Sequence, residues 1–301
     1  MTAKIILNPY SCRWKARERW PEAAAALDAA GVAFEMSESS GRGHATELAA
    51  RAVREGFAPV VAAGGDGTVG EVVNGLAQAA GSGSEPLGPL GVIPLGTAND
   101  MIHNIKNPLD LAGAANAIAG GKTRSMDVIR VNDLHFVNNA ALGLEPMVTI
   151  IQQDMVWVKG LFRYLLAALT AIMRNRRWNA KLTWDEGEFS GPVTLVTVGN
   201  GAVTGGLFYM TPHADPFDGK LTFVYGFRKS RLGLLAMLPS AMKPGAGSYV
   251  EKDGIHEVHA TRLNVRLEQP SPAHADGELF SQGLHEAEFS IQPGRLKILI
   301  P

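Results

Sequence analysis

Three glycines flank a carboxylate within five residues at Gly64-Gly65-Asp66-Gly67-Thr68. Glycine lets an oxyanion approach the main chain, N–H groups at a helix start can point at it, and the threonine hydroxyl adds a donor. A plain strand-to-helix turn explains one or two of the glycines but not the aspartate. A carboxylate among phosphates repels them unless a divalent cation or a proton in transfer lies between, so Asp66 asks for Mg²⁺ chemistry rather than simple anion holding. Pro94-Leu95-Gly96-Thr97-Ala98-Asn99-Asp100 repeats the logic: short strand, turn, helix start. Taken alone, Asn99 or Asp100 is a helix N-cap. Beside the first loop, Thr97 and Asn99 become candidate nucleotide ligands.

Other patterns are weaker. Gly65-x-Gly67-x-x-Gly70 matches the dinucleotide fingerprint, but no acidic residue ends the next strand, where Gly91 to Leu95 stand. Gly120-Gly121-Lys122-Thr123 lacks the first glycine of a P-loop, Asn116 standing in its place, and reads as a helix stop. Asp218-Gly219 and Asp276-Gly277-Glu278 are, by sequence alone, hairpin turns. His44, His103, His213, His274 and His285 are too scattered for a ligand set and read as structural or solvated.

These loops need elements to hold them. Apolar runs at 5–7, 32–36, 57–63 and 91–93 alternate with helical stretches at 16–30, 44–55 and 68–80, and the turn at Asn8-Pro9-Tyr10-Ser11 stops the first strand. Such alternation predicts a parallel sheet flanked by helices, with ligands beyond the carboxyl ends of its strands. A linker at 81–89 and helices at 99–105 and 109–119 follow. From residue 125 the texture becomes β-type, at 126–131, 135–138, 181–184, 193–198, 220–225, 256–267 and 295–300, interrupted by helices at 155–174 and 232–242. The expected organisation is an α/β domain over 1–125, to which 292–301 could return, and a β-rich antiparallel sandwich over 126–291.

A net charge of −1 with 19 % charged residues leaves no electrostatic footprint for nucleic acid, so none is expected as a partner. The single Cys12 can form no internal disulfide and fits a reducing, cytosolic setting. The apolar run at 5–7 is too short for a signal-peptide core, and the stretch 165–173 falls well below the ~20 residues of a membrane span.

The ordered set GGDGTVGEVVNGL (64–76), PLGTANDM (94–101), GNG (199–201), GG (205–206), PxADPxDGKL (212–221) and DGE (276–278) resembles the diacylglycerol kinase catalytic-domain family, over nearly the whole chain. That family includes soluble bacterial lipid kinases and is related to the sphingosine and ceramide kinases and, more distantly, to NAD kinases. The resemblance implies a MgATP-dependent lipid kinase with an NAD kinase-like first domain. Asn8, Pro9, Ser11, Ser39, Gly64, Gly65, Asp66, Gly67, Thr68, Val69, Gly70, Thr97 and Asn99 would border ATP, with Glu71 and Asn74 bracing the loop. It also implies a structural Mg²⁺ held by the Asp218 carboxylate and the backbone carbonyls of Asp215 and Lys220. Oxygen ligands of this kind suit Mg²⁺ or Ca²⁺, not zinc. Glu278 would be the general base for the lipid hydroxyl, Asp276 its support, and Asp66 the link to the metal.

Diacylglycerol is the default acceptor under this resemblance, with a sphingoid base, ceramide or phosphatidylglycerol as alternatives. An NAD kinase-type enzyme and a catalytically silent regulator are the other readings, disfavoured by the late motifs and by the intact acidic residues. Such an enzyme would work in the cytoplasm at the inner membrane face, and a homodimer is open. The helix at 155–174, with Trp157, Phe162, Tyr164 and Leu165 ahead of Arg174, Arg176, Arg177 and Trp178, could rest on an anionic bilayer or could simply face the core. The chain departs from the family pattern at Cys12, where glycine is usual, at Gly70, where Asn or Asp is usual, and at Glu145-Pro146, where an Asp-containing pair is usual. Cys12 could crowd the nucleotide or tune its base pocket.

Overall fold

The computed structural model describes residues 2–81, 83, 85–155, 160–174 and 176–301, with the side chains at 153, 160–162 and 164 outside that description. Trp157, Phe162 and Tyr164, which by sequence could face either a membrane surface or the core, therefore lie outside the described residues or side chains. Strands β1 (Ala3–Leu7), β2 (Phe34–Glu38), β3 (Val60–Gly64) and β4 (Leu87–Pro94) are connected by helices α1 (Lys15–Ala29), α2 (His44–Arg54) and α3 (Asp66–Ala80). They pair in parallel in the order β4-β3-β1-β2. Helices α4 (Asp100–Asn104) and α5 (Leu111–Gly120) follow. Alternate residues serve opposite faces, as the two-residue period of a strand requires. Ile5, Leu7, Val61 and Ile93 pack with Leu27 of α1 and Ala115 of α5, whereas Ile6, Val60, Ala62 and Val92 pack with Leu48 of α2 and Val72 of α3.

Two strands begin later than their apolar runs suggest, for one reason. Val32 N–H donates to Leu27 O and Phe57 N–H to Ala52 O, each at 3.0 Å, so both residues close the preceding helix behind a left-handed glycine. β4 begins at Leu87, inside the stretch expected as linker.

The rest of the chain is strand-rich: β5 (Thr123–Val131), β6 (Leu134–Phe136), β7 (Asn139–Gly143), then helices α6 (Leu144–Asp154) and α7 (Gly160–Arg174), and strands β8 (Trp178–Trp184), β9 (Gly187–Val193) and β10 (Leu195–Gly199). A small separate hairpin, β11 (Val203–Thr204) and β12 (Phe208–Tyr209), precedes β13 (Leu221–Gly226), α8 (Arg231–Ala241), β14 (Ile255–Ala260), β15 (Arg262–Ala275) and β16 (Glu278–Leu299). The antiparallel order is β14-β13-β10-β7-β15-β16. Phe136, Leu182, Phe223, Leu263 and Phe289 are fully buried in its core.

Three expectations need correction here. The helix expected at 155–174 is α7, beginning at Gly160, and a further helix that was not expected, α6, ends before it with Met155 as its C-cap; Pro146 is tolerated because it falls in the first turn of α6. The strand expected at 256–267 is two, broken at Thr261, whose N–H and hydroxyl both turn to the Asp185 carboxylate. The last strand is the end of the 22-residue β16, which begins antiparallel to β15 and finishes with Leu296 and Ile298 parallel to β4. β5 runs through position 125 without a break. Among the described residues no helix is long and apolar enough to cross a membrane.

Candidate active site

The four parallel strands end at one edge: Leu7 stands opposite Glu38 and Ala63, and Gly64 opposite Pro94. Gly64 closes β3 and must be glycine, because a Cβ there would lie 2.3 Å from Thr68 Oγ1. That hydroxyl accepts from Asn8 Nδ2 at 3.0 Å and lies 3.3 Å from Ser11 Oγ, which gathers the turn after β1 onto the start of α3. Pro9 is buried within the same turn, and buried Ser39 donates its N–H to Leu7 O at 2.8 Å. The second glycine loop lies against the first: a Cβ on Gly96 would come within 2.4 Å of Gly65 Cα, and Leu95 N–H donates to Gly64 O at 3.0 Å. Thr97 Oγ1 donates to Cys12 Sγ at 3.5 Å. Val69 turns its side chain into the core, and its N–H, like that of Thr68, is taken by Gly65 O. The Asp66 N–H turns to its own carboxylate, so Gly67 supplies the helix-opening amide at this edge.

Asp66 has a partner that its sequence context does not reveal. Its Oδ1 accepts the Met101 N–H at 3.1 Å, and the backbone of Asp66 itself, Asn99 and Asp100 also favours its charged form, so Asp66 caps α4 from a different segment. Asn99 stands at the N-cap position as expected, but its side chain does not cap: it adopts a left-handed conformation, and its Oδ1 turns back to the Gly96 N–H at 3.1 Å. Asp100, read by sequence as a cap, instead accepts the N–H groups of Gly205 and Gly206, each at 2.6 Å. Burial raises the Asp66 pKa against the pull of these donors. Burial first, and the Asp66 charge second, push Asp100 up to about 7. Two buried carboxylates thus tie three glycine-containing motifs together, and only the first of the two stood out in the sequence.

Asp276 and Gly277 both have positive φ, 46° and 80°, as a two-residue turn between antiparallel strands requires. The turn is also the roof of a cleft. Asp276 is buried and accepts the N–H groups of Val137, Asn138 and Asn139 at 3.1, 2.9 and 3.2 Å. Burial pushes its pKa to about 7 despite those donors, with the Asp66 charge adding to the rise. A Cβ on Gly70 would meet Asp276 Oδ2 at 3.1 Å, and one on Gly67 would meet Glu278 Oε1 at 3.2 Å. The turn of the second half thus seats its carboxylates on two glycines of the first. The space of an Asn or Asp side chain at position 70 is filled here by Asp276. Burial raises the Glu278 pKa, and the Arg42 guanidinium works against that rise.

Gly67, Gly70, Glu71, Asp276 and Glu278 line a cleft of ≈ 400 Å³ together with Arg42, His135 and Phe280, which sequence reasoning missed. Glu71 braces the turn before α2, its carboxylate accepting Gly43 N–H at 2.8 Å and Ala45 N–H at 3.0 Å. Asn74 braces across the halves, donating to Gly70 O and His135 O and accepting His135 N–H. His274 is buried rather than solvated, with Nε2 3.7 Å from Glu145 Oε2.

The loop before β13 forms its own acidic group. Asp215 Oδ1 accepts the Phe217 N–H at 3.0 Å and Asp218 Oδ1 the Lys220 N–H at 2.9 Å, which leaves each carboxylate a second oxygen. Buried Asp127, not singled out by sequence, accepts Gly219 N–H at 2.7 Å and Gly294 N–H at 2.6 Å and so clamps this loop to β16. Burial raises its pKa, and the charges of Asp218 and Asp215 add to the rise. Among the described residues no three His, Cys, Asp or Glu side chains converge as a ready-made metal cage. A hard cation here would depend on carboxylate, carbonyl and water oxygens.

Residues 2–131 match the family model "Diacylglycerol kinase catalytic domain", and residues 138–300 match "YegS C-terminal NAD kinase beta sandwich-like domain". A diacylglycerol kinase of Staphylococcus aureus (strain MRSA252) is 29 % identical over 278 residues, covering 92 % of this chain and 85 % of that protein. One of Staphylococcus epidermidis (strain ATCC 12228 / FDA PCI 1200) is 28 % identical over the same coverage. A crystal structure described as a diacylglycerol kinase from Bacillus anthracis str. Sterne superposes with a TM-score of 0.73 at 22 % identity, over 100 % of this chain and 97 % of that one. Another structure from that organism reaches a TM-score of 0.78 at 23 % identity and the same coverage. At such identities the superpositions speak for the fold.

Proposed function

We propose phosphoryl transfer from MgATP to the hydroxyl of a membrane lipid, diacylglycerol first, on the premise that this chain belongs to the diacylglycerol kinase catalytic-domain family. The observation that carries the reading is the seating of Glu278 on Gly67 and of Asp276 on Gly70. A candidate base thereby faces the loop best suited to phosphate. The Gly67 amide that opens α3, the Thr68 hydroxyl and the wall formed by Gly96 and Thr97 would hold the triphosphate at the strand ends. Glu278 would take the proton of the lipid hydroxyl as its oxygen attacks the terminal phosphorus and the bond to the β-phosphate oxygen breaks, releasing ADP. Asp276, bonded to three amides, would fix the turn that carries Glu278. Transfer of this kind depends mainly on alignment and on neutralising charge.

The donor set of the Asp215 to Lys220 loop fits Mg²⁺, being all oxygen and locally acidic. The Asp218 carboxylate and the carbonyls of Asp215 and Lys220 would hold the ion, with Asp127 holding the loop. A cation bound there would supply positive charge to offset the carboxylates of this acidic loop. The acceptor would be met at a membrane surface, on the cytoplasmic side. Exposed Leu169 and Met173 on α7 beside Arg174, and exposed Leu232 beside Arg231 on α8, support a peripheral contact with an anionic bilayer.

Labelled ATP, Mg²⁺ and vesicles of diacylglycerol, ceramide, sphingosine or phosphatidylglycerol, with NAD as a further acceptor, test the reading by separation of labelled products. Label in phosphatidic acid is the expected result, and no label in any lipid sinks it. Glu278→Gln should lower turnover by about 10² or more, the share general-base catalysis supplies, while ATP affinity stays near wild type.

A further inference from the structure

Arg42 sits in the turn before α2 and reaches the other half of the molecule. Its Nη2 donates to Leu279 O, and its Nε lies 3.9 Å from Glu278 Oε2. Both side chains are more than half exposed, at 64 % and 54 %, so the pair adds little to stability. Its placement is nonetheless fixed from below: Glu71 of α3 accepts the N–H of Gly43, the residue next to Arg42. The charged groups facing Glu278 are Arg42 from this turn, Glu71 from α3 and His274 from β15, with Asp276 and His135 also lining the cleft. Burial and Glu71 favour the protonated acid, while Arg42 and a protonated His274 favour the carboxylate. Arg42 alone among these five groups is cationic at every working pH.

We propose that Arg42 is a positioning residue for Glu278, holding its carboxylate over Gly67 and ionised, ready to accept a proton from the acceptor hydroxyl. The inference rests on the assignment of Glu278 as base. Arg42 anchors the strand start through Leu279 O and the carboxylate through its guanidinium, so one side chain ties the base to the turn that Glu71 holds beside the phosphate loop.

The test separates this idea from the kinase reading. Glutamate carboxyl carbons are ¹³C-labelled in the full chain, and the Glu278 signal, identified by its loss in Glu278→Gln, is titrated in wild type, Arg42→Met and Arg42→Lys. The Met variant should titrate at higher pH than wild type, and the Lys variant should recover part of the difference. In the vesicle assay the acid limb of kcat/KM for lipid should move to higher pH in Arg42→Met. On the alkaline side the rate should stay within about fivefold of wild type, the range an exposed ion pair spans, and ATP Kd should be unchanged. An unmoved Glu278 titration overturns the proposal. So does a tenfold loss of ATP affinity with that titration unmoved, which would make Arg42 a phosphate ligand. If the wild-type protein labels no lipid, the kinase reading fails, and the carboxyl titration still decides whether Arg42 controls Glu278.

Discussion

Gly67 and Gly70 each face a carboxylate, but the two neighbours differ in their freedom to move. Asp276 is held by three backbone amides, and a Cβ at position 70 would lie 3.1 Å from its Oδ2 and 3.3 Å from its Cβ. Glycine to alanine inside a helix ordinarily stabilises by roughly 0.5–1 kcal/mol. Here Gly70→Ala should instead destabilise by about 1–3 kcal/mol, the usual range for overpacking, and lower turnover with it. Urea unfolding and the vesicle assay check both, and a variant that gains stability with turnover intact refutes the contact. Glu278 is half exposed and can swing aside, so Gly67→Ala should cost little stability while still displacing the proposed base. Its expected mark is a fall in turnover with an unchanged unfolding midpoint.

At the scale of elements, α2 begins without a cap of its own: Gly43 precedes it in a left-handed conformation, and the Glu71 carboxylate from α3 bonds Gly43 and Ala45. Removing such a cap costs about 1–2 kcal/mol. Glu71→Ala should show that loss in thermal unfolding, and Glu71→Gln, which keeps one acceptor, should show less; equal stability of all three would remove Glu71 from this role. The alternation of β1 to α3 and the glycine loops were legible because their signals are local: apolar runs, glycine stops and helix composition. What escaped was non-local. Asp66 finds its donors 35 residues away at Met101, Asp100 finds its own at Gly205 and Gly206, and Thr261 breaks a strand because Asp185 is beside it. No periodicity encodes those meetings. The pairing of the Asp276 turn with the Gly64 loop was expected from family resemblance alone, since by itself Asp-Gly-Glu reads as a hairpin turn.

Across the whole molecule, the two halves meet through buried acids, and that leaves a signature in stability. Asp276 and Asp100 both have folded-state pKa values near 7 against an ordinary 3.8, burial being the main cause in each. Between those values the folded chain keeps protons that the unfolded chain has released. Unfolding then sheds protons, so stability falls as pH rises through this window. The contribution is fully present below about pH 4 and lost once pH has passed about 7. Other carboxylates act in the opposite sense, so the isolating measurement is a difference, wild type against Asp276→Asn, by denaturant unfolding at several pH values. At pH 5 the variant should be less stable or equal, having replaced a neutral acid by an amide that also carries donors. By pH 8 it should have gained relative to wild type, because it is spared the buried charge. A difference that stays constant across the window would mean that Asp276 is ionised throughout, with its three amides outweighing burial, and the turn would then bring a permanent negative charge to the roof of the cleft.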